Sequence, residues 1–167
     1  VLRFESLRQT SAAAVLVETN RAMYDDLSNA ELFITVFYAS FNTETRVLTC
    51  ANGGHNPPFV WRPSTEECIF LGAEGMLIGI LDDVEYEERQ MELMPGDILI
   101  LYTDGVTEAK NLAGEMFGEK RLERLIKQNH QWPAREILDA IYNAVYEHSV
   151  GVTQYDDITA IVMKVTE

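Results

Sequence analysis

The chain has 167 residues, 47% apolar and 24% charged, the composition of a folded globular protein with room for one ordinary core. Its 13 Lys and Arg stand against 27 Asp and Glu, a net charge of −14, and no basic cluster is present to displace counterions from nucleic-acid phosphates. No apolar run approaches the roughly 20 residues that span a bilayer, so neither a nucleic-acid partner nor a membrane segment is expected.

The N-terminus shows apolar positions at helical spacing, among them Leu2, Leu7, Val15, Ala22 and Met23, which predicts one long helix or two short ones stopping near Ser28 and Asn29. It lacks a signal-peptide pattern and begins as if inside a helix, so the first residue is read as a cut in a longer protein. "LFITVFYASFN" is dense in β-branched and aromatic residues and predicts a strand buried on both faces. "NTET" turns it into a returning strand, "RVLTCANGG". "PPFVWRP" and "EECIFLG" predict a second hairpin, and "EGMLIGILDD" a glycine-punctuated loop. "VEYEERQMEL" alternates as a half-exposed strand does, and Pro95-Gly96-Asp97 turns into the apolar strand "ILILY".

From about Gly118 to His148 the spacing is helical again, broken at Trp132-Pro133 into two helices. "GEKRLERLIK" alternates basic residues with Glu and reads as a solvated helix face. "DDITAIVMKV" closes the chain as a long apolar strand, expected at the centre of a sheet. Strands in hairpins followed by helices indicate an α+β fold, and without a linker or repeat the whole of 1–167 is expected to be one domain. Cys50 and Cys68 have no metal-site spacing and read as reduced core thiols.

The candidate chemistry lies at strand ends. Asp104 and Gly105 follow "ILILYT", while Asp156 and Asp157 precede the closing strand in mirror order. If those strands are antiparallel neighbours, the carboxylates meet at one sheet edge. Like charges held together call for a compensating cation; no Lys or Arg lies close in sequence to either, and hard oxygen donors favour Mg²⁺ or Mn²⁺ over zinc. The same pattern also fits turn or capping aspartates on the surface. Asn52-Gly53-Gly54 allows a tight loop before His55, and Pro57-Pro58 stiffens its exit, which makes Asn52, Gly54 and His55 a candidate site loop.

In this order, "ANGGHNPP", "MPGDILILYTDGVTEAKN", "GEMFGEKRL" and "DDITAIVMKV" resemble the metal-dependent protein phosphatase family (PPM), closest to its bacterial SpoIIE branch, from about Phe33 to Val165. The resemblance implies a β-sandwich of two antiparallel sheets flanked by helices, here lacking its first strands. It implies hydrolysis of phosphoserine or phosphothreonine on a small regulatory protein of the anti-anti-sigma-factor type, in the bacterial cytoplasm, with a sensor domain upstream. Two Mn²⁺ or Mg²⁺ ions and their activated water would do the chemistry, with no catalytic side chain and no phosphoenzyme.

By resemblance, Asp104 matches a metal aspartate, Asp156 the first ligand of the closing motif, and Asp157 a second choice; Gly105 allows close backbone approach. His55 stands where some relatives carry an aspartate. Family motifs supplying further aspartates upstream are absent, and the family's phosphate-binding basic residue is not identifiable. Weak metal binding and little or no activity are therefore expected of this chain, and unpaired sheet edges favour a homodimer. The alternatives are a non-catalytic partner-binding domain of the same fold, in sigma-factor or two-component signalling, and a ligand-sensing module with incidental aspartates.

Overall fold

Ser11 sets the start of an 18-residue helix in the computed structural model, which describes residues 1–154 and 156–166. The Ser11 hydroxyl accepts the Ala14 amide at 3.3 Å, satisfying a donor of the first turn of α2 (Ala12–Asn29). A separate α1 (Leu2–Arg8) precedes it, so the N-terminal stretch is two helices. The described residues form two compact units: Val1–Pro57 with Leu71–Leu93, and Pro58–Phe70 with the chain from Met94 onward.

The first unit holds α1, α2 and an antiparallel sheet in the order β1 (Val36–Phe41), β2 (Val47–Gly53), β5 (Glu88–Glu92). The turn before β2 forms because the Asn42 carboxamide accepts the amides of Glu44 and Thr45. Leu16, Ala51, Ile78 and Tyr86 are buried together as its core. Glu88, at the start of β5, reaches α2: its carboxylate accepts the Ser11 hydroxyl at 2.7 Å and the Ala12 amide at 2.6 Å, placing negative charge at the positive end of the helix. Buried Asn20 ties the loop to α2, accepting the Gly79 amide at 2.9 Å and donating to the carbonyls of Leu81 and Asp82.

One expectation fails in this unit. β1 is not buried on both faces; it is an edge strand, mostly half-exposed, and the preceding Leu32 and Phe33 are 59% and 58% exposed. β-branched and aromatic content reports fitness for a pleated surface, but it does not report whether a second neighbour exists.

The second unit holds the sheet β4 (Glu67–Phe70), β3 (Phe59–Arg62), β6 (Ile98–Tyr102), β7 (Ala160–Lys164), all antiparallel. Two helices, α4 (Glu119–Asn129) and α5 (Ala134–His148), lay the stripes Leu122–Ile126 and Ile137–Ile141–Val145 into one core with Phe59, Ile98, Ile100 and Phe117. Lys164 on β7 donates to the carbonyls of His130 and Trp132, fixing the α4–α5 connection. Asp97, 1% exposed, closes the turn into β6. It pairs with Arg62 at 2.7 Å and accepts the Met94 amide at 2.9 Å.

The closing strand departs from expectation. β7 pairs with β6 alone and is an edge strand, with Ile161 56% exposed; length and apolarity do not distinguish an edge from a centre when a helix covers one face. The α+β class and the two antiparallel sheets agree with the sequence reading. Cys50 on β2 is buried and Cys68 on β4 half-buried; both thiols are free, and burial pushes each up to about 11.

Candidate functional site

The β6–β7 register decides where the aspartates go. Tyr102 pairs with Ala160, so the exit of β6 and the approach to β7 run side by side. Beyond the ladder, the Thr103 amide donates to the Thr159 carbonyl at 3.0 Å. The Thr103 hydroxyl donates to the Asp157 carbonyl at 3.0 Å and accepts the Thr159 amide at 3.1 Å. One side chain thus fastens the segment before β7 to the end of β6.

Asp104 opens a single helical turn, α3 (Asp104–Thr107), rather than a simple loop. Its carboxylate accepts the amide of Gly105 at 3.0 Å. Gly105 does not serve a left-handed turn, since its φ is not positive. It serves close approach: a β-carbon there would meet the Asp157 carbonyl oxygen, and would lie 2.9 Å from the Asp157 carbonyl carbon.

Asp104 and Asp156 line one cavity of about 220 Å³, together with Gly105, Glu108, Lys110 and Gln154. The Asp156 carboxylate accepts the Asp157 amide at 2.7 Å, and Gln154 donates to the Asp156 carbonyl at the same distance. Asp157 does not line this cavity; it lines a neighbouring groove with Tyr142, Tyr146 and Thr159. The structure therefore brings Asp104, Gly105 and Asp156 together and sets Asp157 apart. Among the described residues, no group of three or more His, Cys, Asp or Glu could hold a metal ion.

The sequence reading found no cation close to the aspartates, yet Lys110 shares the cavity wall with them. No local signal marked it, because the loop that carries Lys110 is closed by Arg121, which donates to the carbonyls of Met116 and Phe117. The loop of Asn52, Gly54 and His55 lies in the first unit. Asn52 is buried and holds the loop closed, donating to the His55 carbonyl and accepting the His55 amide, each at 2.8 Å. Gly54 takes φ of +71°, and the His55 Nδ1 lies 3.1 Å from the Thr35 hydroxyl.

The α+β fold with two antiparallel sheets defines a class shared with solved phosphatase domains. The SiaA-PP2C domain of Pseudomonas aeruginosa superposes with a TM-score of 0.80 at 25% identity, covering 92% of this chain and 61% of that one. The manganese-presoaked phosphatase domain of SpoIIE from Bacillus subtilis shares the fold, with a TM-score of 0.69 at 19% identity over 99% of this chain and 71% of that one. Residues 1–166 match the family described as Stage II sporulation protein E (SpoIIE), and the chain belongs to it.

Among its relatives, Phosphoserine phosphatase RsbU of Bacillus subtilis is 31% identical over 162 residues, covering 96% of this chain and 48% of that protein. Protein IcfG of Synechocystis is 31% identical over 143 residues, covering 86% and 22%. The chain thus spans about half of the first relative and less than a quarter of the second.

Proposed function

We propose that this protein is a Mn²⁺- or Mg²⁺-dependent serine/threonine protein phosphatase acting on a small regulatory phosphoprotein of the anti-anti-sigma-factor type. The observation that carries the reading is the shared cavity of Asp104 and Asp156 in a chain of the SpoIIE family. RsbU, named as a phosphoserine phosphatase, supports the phosphoserine part. The family match across both units supports reading 1–167 as one domain.

The donors fit such a cation in kind: two carboxylate residues, hard oxygen ligands, lining one cavity. In number they supply only part of a shell, so water would complete it, and the 167 residues alone would bind metal weakly and turn over slowly or not at all. When bound, divalent cations polarise phosphoryl oxygens and acidify water. The chain's own residues hold and position: Asp104 and Asp156 as ligands, Gly105 by admitting the Asp157 backbone, and Thr103 by locking it. Asp157 is then a weaker candidate ligand. The rest of the proposal is cytoplasmic placement, an upstream sensor domain and a homodimer joined at exposed sheet edges. No helix among the described residues is long and apolar enough to cross a membrane.

The experiment measures Mn²⁺ affinity by calorimetry and phosphate release from a phosphoserine protein. Asp104→Asn and Asp156→Asn should each weaken Mn²⁺ binding at least about tenfold and lower turnover in parallel. Unchanged metal affinity in both variants would remove the metal reading. The second reading, a non-catalytic partner-binding domain, is favoured by the absence of a three-residue metal group among the described residues. It predicts tight regulator binding with no phosphate release at any Mn²⁺ concentration.

A further inference from the structure

We propose that Lys110 binds the phosphoryl oxygens of the substrate inside the Asp104–Asp156 cavity, a role that rests on the phosphatase reading for the identity of the anion. The walls carry the carboxylates of Asp104, Glu108 and Asp156, and Lys110 is the one cationic residue that lines them among the described residues. A phosphoserine monoester brings about −1.5 to −2 charges at neutral pH. It meets a chain of net charge −14 at long range and three carboxylates at close range. Cations held by Asp104 and Asp156 are themselves partly neutralised by those ligands. An ammonium group on the cavity wall is what remains to favour an anion, and Lys serves phosphate as a compact point charge with three donors.

The backbone beneath Lys110 is fixed from several sides. Lys110 and Met116 form an antiparallel bridge. On either side of it, the Asn111 amide donates to Glu115 at 3.0 Å and the Phe117 amide to Ala109 at 2.8 Å. The Asn111 side chain accepts the amides of Ala113 and Glu115, both at 3.0 Å. Arg121 donates to the carbonyls of Met116 and Phe117 at 2.7 and 2.8 Å, and the Phe117 ring is anchored in the core.

All of these contacts order the loop, and none uses the Lys110 ammonium group, which has no hydrogen bond or ion pair among the described residues. Lys127 and Lys164, by contrast, are committed to Glu66 and to the carbonyls of His130 and Trp132. The pinned backbone keeps an uncommitted cation on the wall of an acidic cavity, where an anion would meet it.

The test compares wild type, Lys110→Gln and Lys110→Arg in the presence of Mn²⁺. Inorganic phosphate binding is followed by phosphorus NMR titration, Mn²⁺ affinity by calorimetry, and KM and kcat with a phosphoserine protein. Loss of one charge-assisted contact should weaken phosphate binding and raise KM by about tenfold or more in Lys110→Gln. Mn²⁺ affinity should stay within about twofold, and Lys110→Arg should recover most of the phosphate affinity. Unchanged phosphate affinity in Lys110→Gln overturns the proposal, as does wild type that binds no phosphate. Parallel loss of Mn²⁺ affinity and thermal stability also overturns it, because the residue would then be structural. Wild type that binds phosphate through Lys110, while Asp104→Asn and Asp156→Asn leave Mn²⁺ affinity unchanged, sinks the phosphatase reading and leaves the anion contact standing.

Discussion

A β-carbon on Gly105 would collide with the carbonyl oxygen of Asp157. Gly105 sits inside a helical turn, where Gly→Ala ordinarily stabilises because alanine is the better helix former. Here the sign reverses. Gly105→Ala should destabilise the protein by about 1–3 kcal/mol, the usual cost of overpacking, and should lower Mn²⁺ affinity by moving Asp156 from Asp104. Urea denaturation and calorimetry read both effects; a variant more stable than wild type would mean the approach is not tight in solution.

Thr103 separates hydroxyl chemistry from shape. Thr103→Val keeps the branched side chain but removes the contacts to the Asp157 carbonyl and the Thr159 amide. It should cost about 1–2 kcal/mol, and Thr103→Ser should retain most of that stability. Equal losses in the two variants would assign the effect to packing instead.

Among the described residues, Asp97 and Arg62 form the most buried ion pair of the second unit, with Asp97 almost fully enclosed. Arg62→Leu leaves that carboxylate without its guanidinium, which should cost about 3–5 kcal/mol. The double variant Arg62→Leu with Asp97→Asn should recover part of the loss. A double-mutant cycle by chemical denaturation measures the coupling, and a value near zero would show the pair to be incidental.

Glu88 gives the acid limb of stability. Hydrogen bonds from the Ser11 hydroxyl, against some burial cost, and then from the Ala12 and Ala13 amides, hold its carboxyl below the usual carboxylate range. A folded pKa below the unfolded one stabilises above the unfolded value and fades as pH falls through the folded one. Glu88→Gln should therefore cost about 1 kcal/mol at neutral pH, with the difference from wild type closing below about pH 4.5. A pH-independent difference would point to lost packing.

The alkaline limb has the opposite sign. Burial raises Cys50 and Cys68 to about 11, and Tyr86 to about 12. A raised acid pKa stabilises below the unfolded value, near 9 for the thiols, and that stability is lost as pH climbs toward 11. Unfolding free energy should decline from about pH 9 upward, and Cys50→Ala should flatten the decline. An identical slope in that variant would exclude the thiol as its source.

Local patterns were readable wherever local chemistry decides structure. The Asn42 turn, the hairpin of β3 and β4 and the break at Trp132-Pro133 follow from turn residues and periodicity, whereas the pairing of β6 with β7 entered only as a condition that the structure meets. Given that pairing, Asp104 and Asp156 reach one cavity because each lies at the end of an apolar strand. What was not readable depends on partners distant in sequence. Whether β1 and β7 are central or marginal is set by the number of neighbouring strands, not by their own residues. The split between Asp156 and Asp157 turns on a carbonyl held by Thr103, and the approach of Lys110 on a loop closed by Arg121.

The marginal position of β7 carries a consequence for durability. A strand zipped along one side can peel away while β3, β4 and β6 stay joined, by an opening smaller than global unfolding. Each such excursion parts Asp156 from Asp104 and dissolves the cavity without melting the sheet. Amide protons along Ala160–Lys164 should therefore exchange faster than those of Ile98–Tyr102, and the lifetime of the paired carboxylates is the lifetime of that seam.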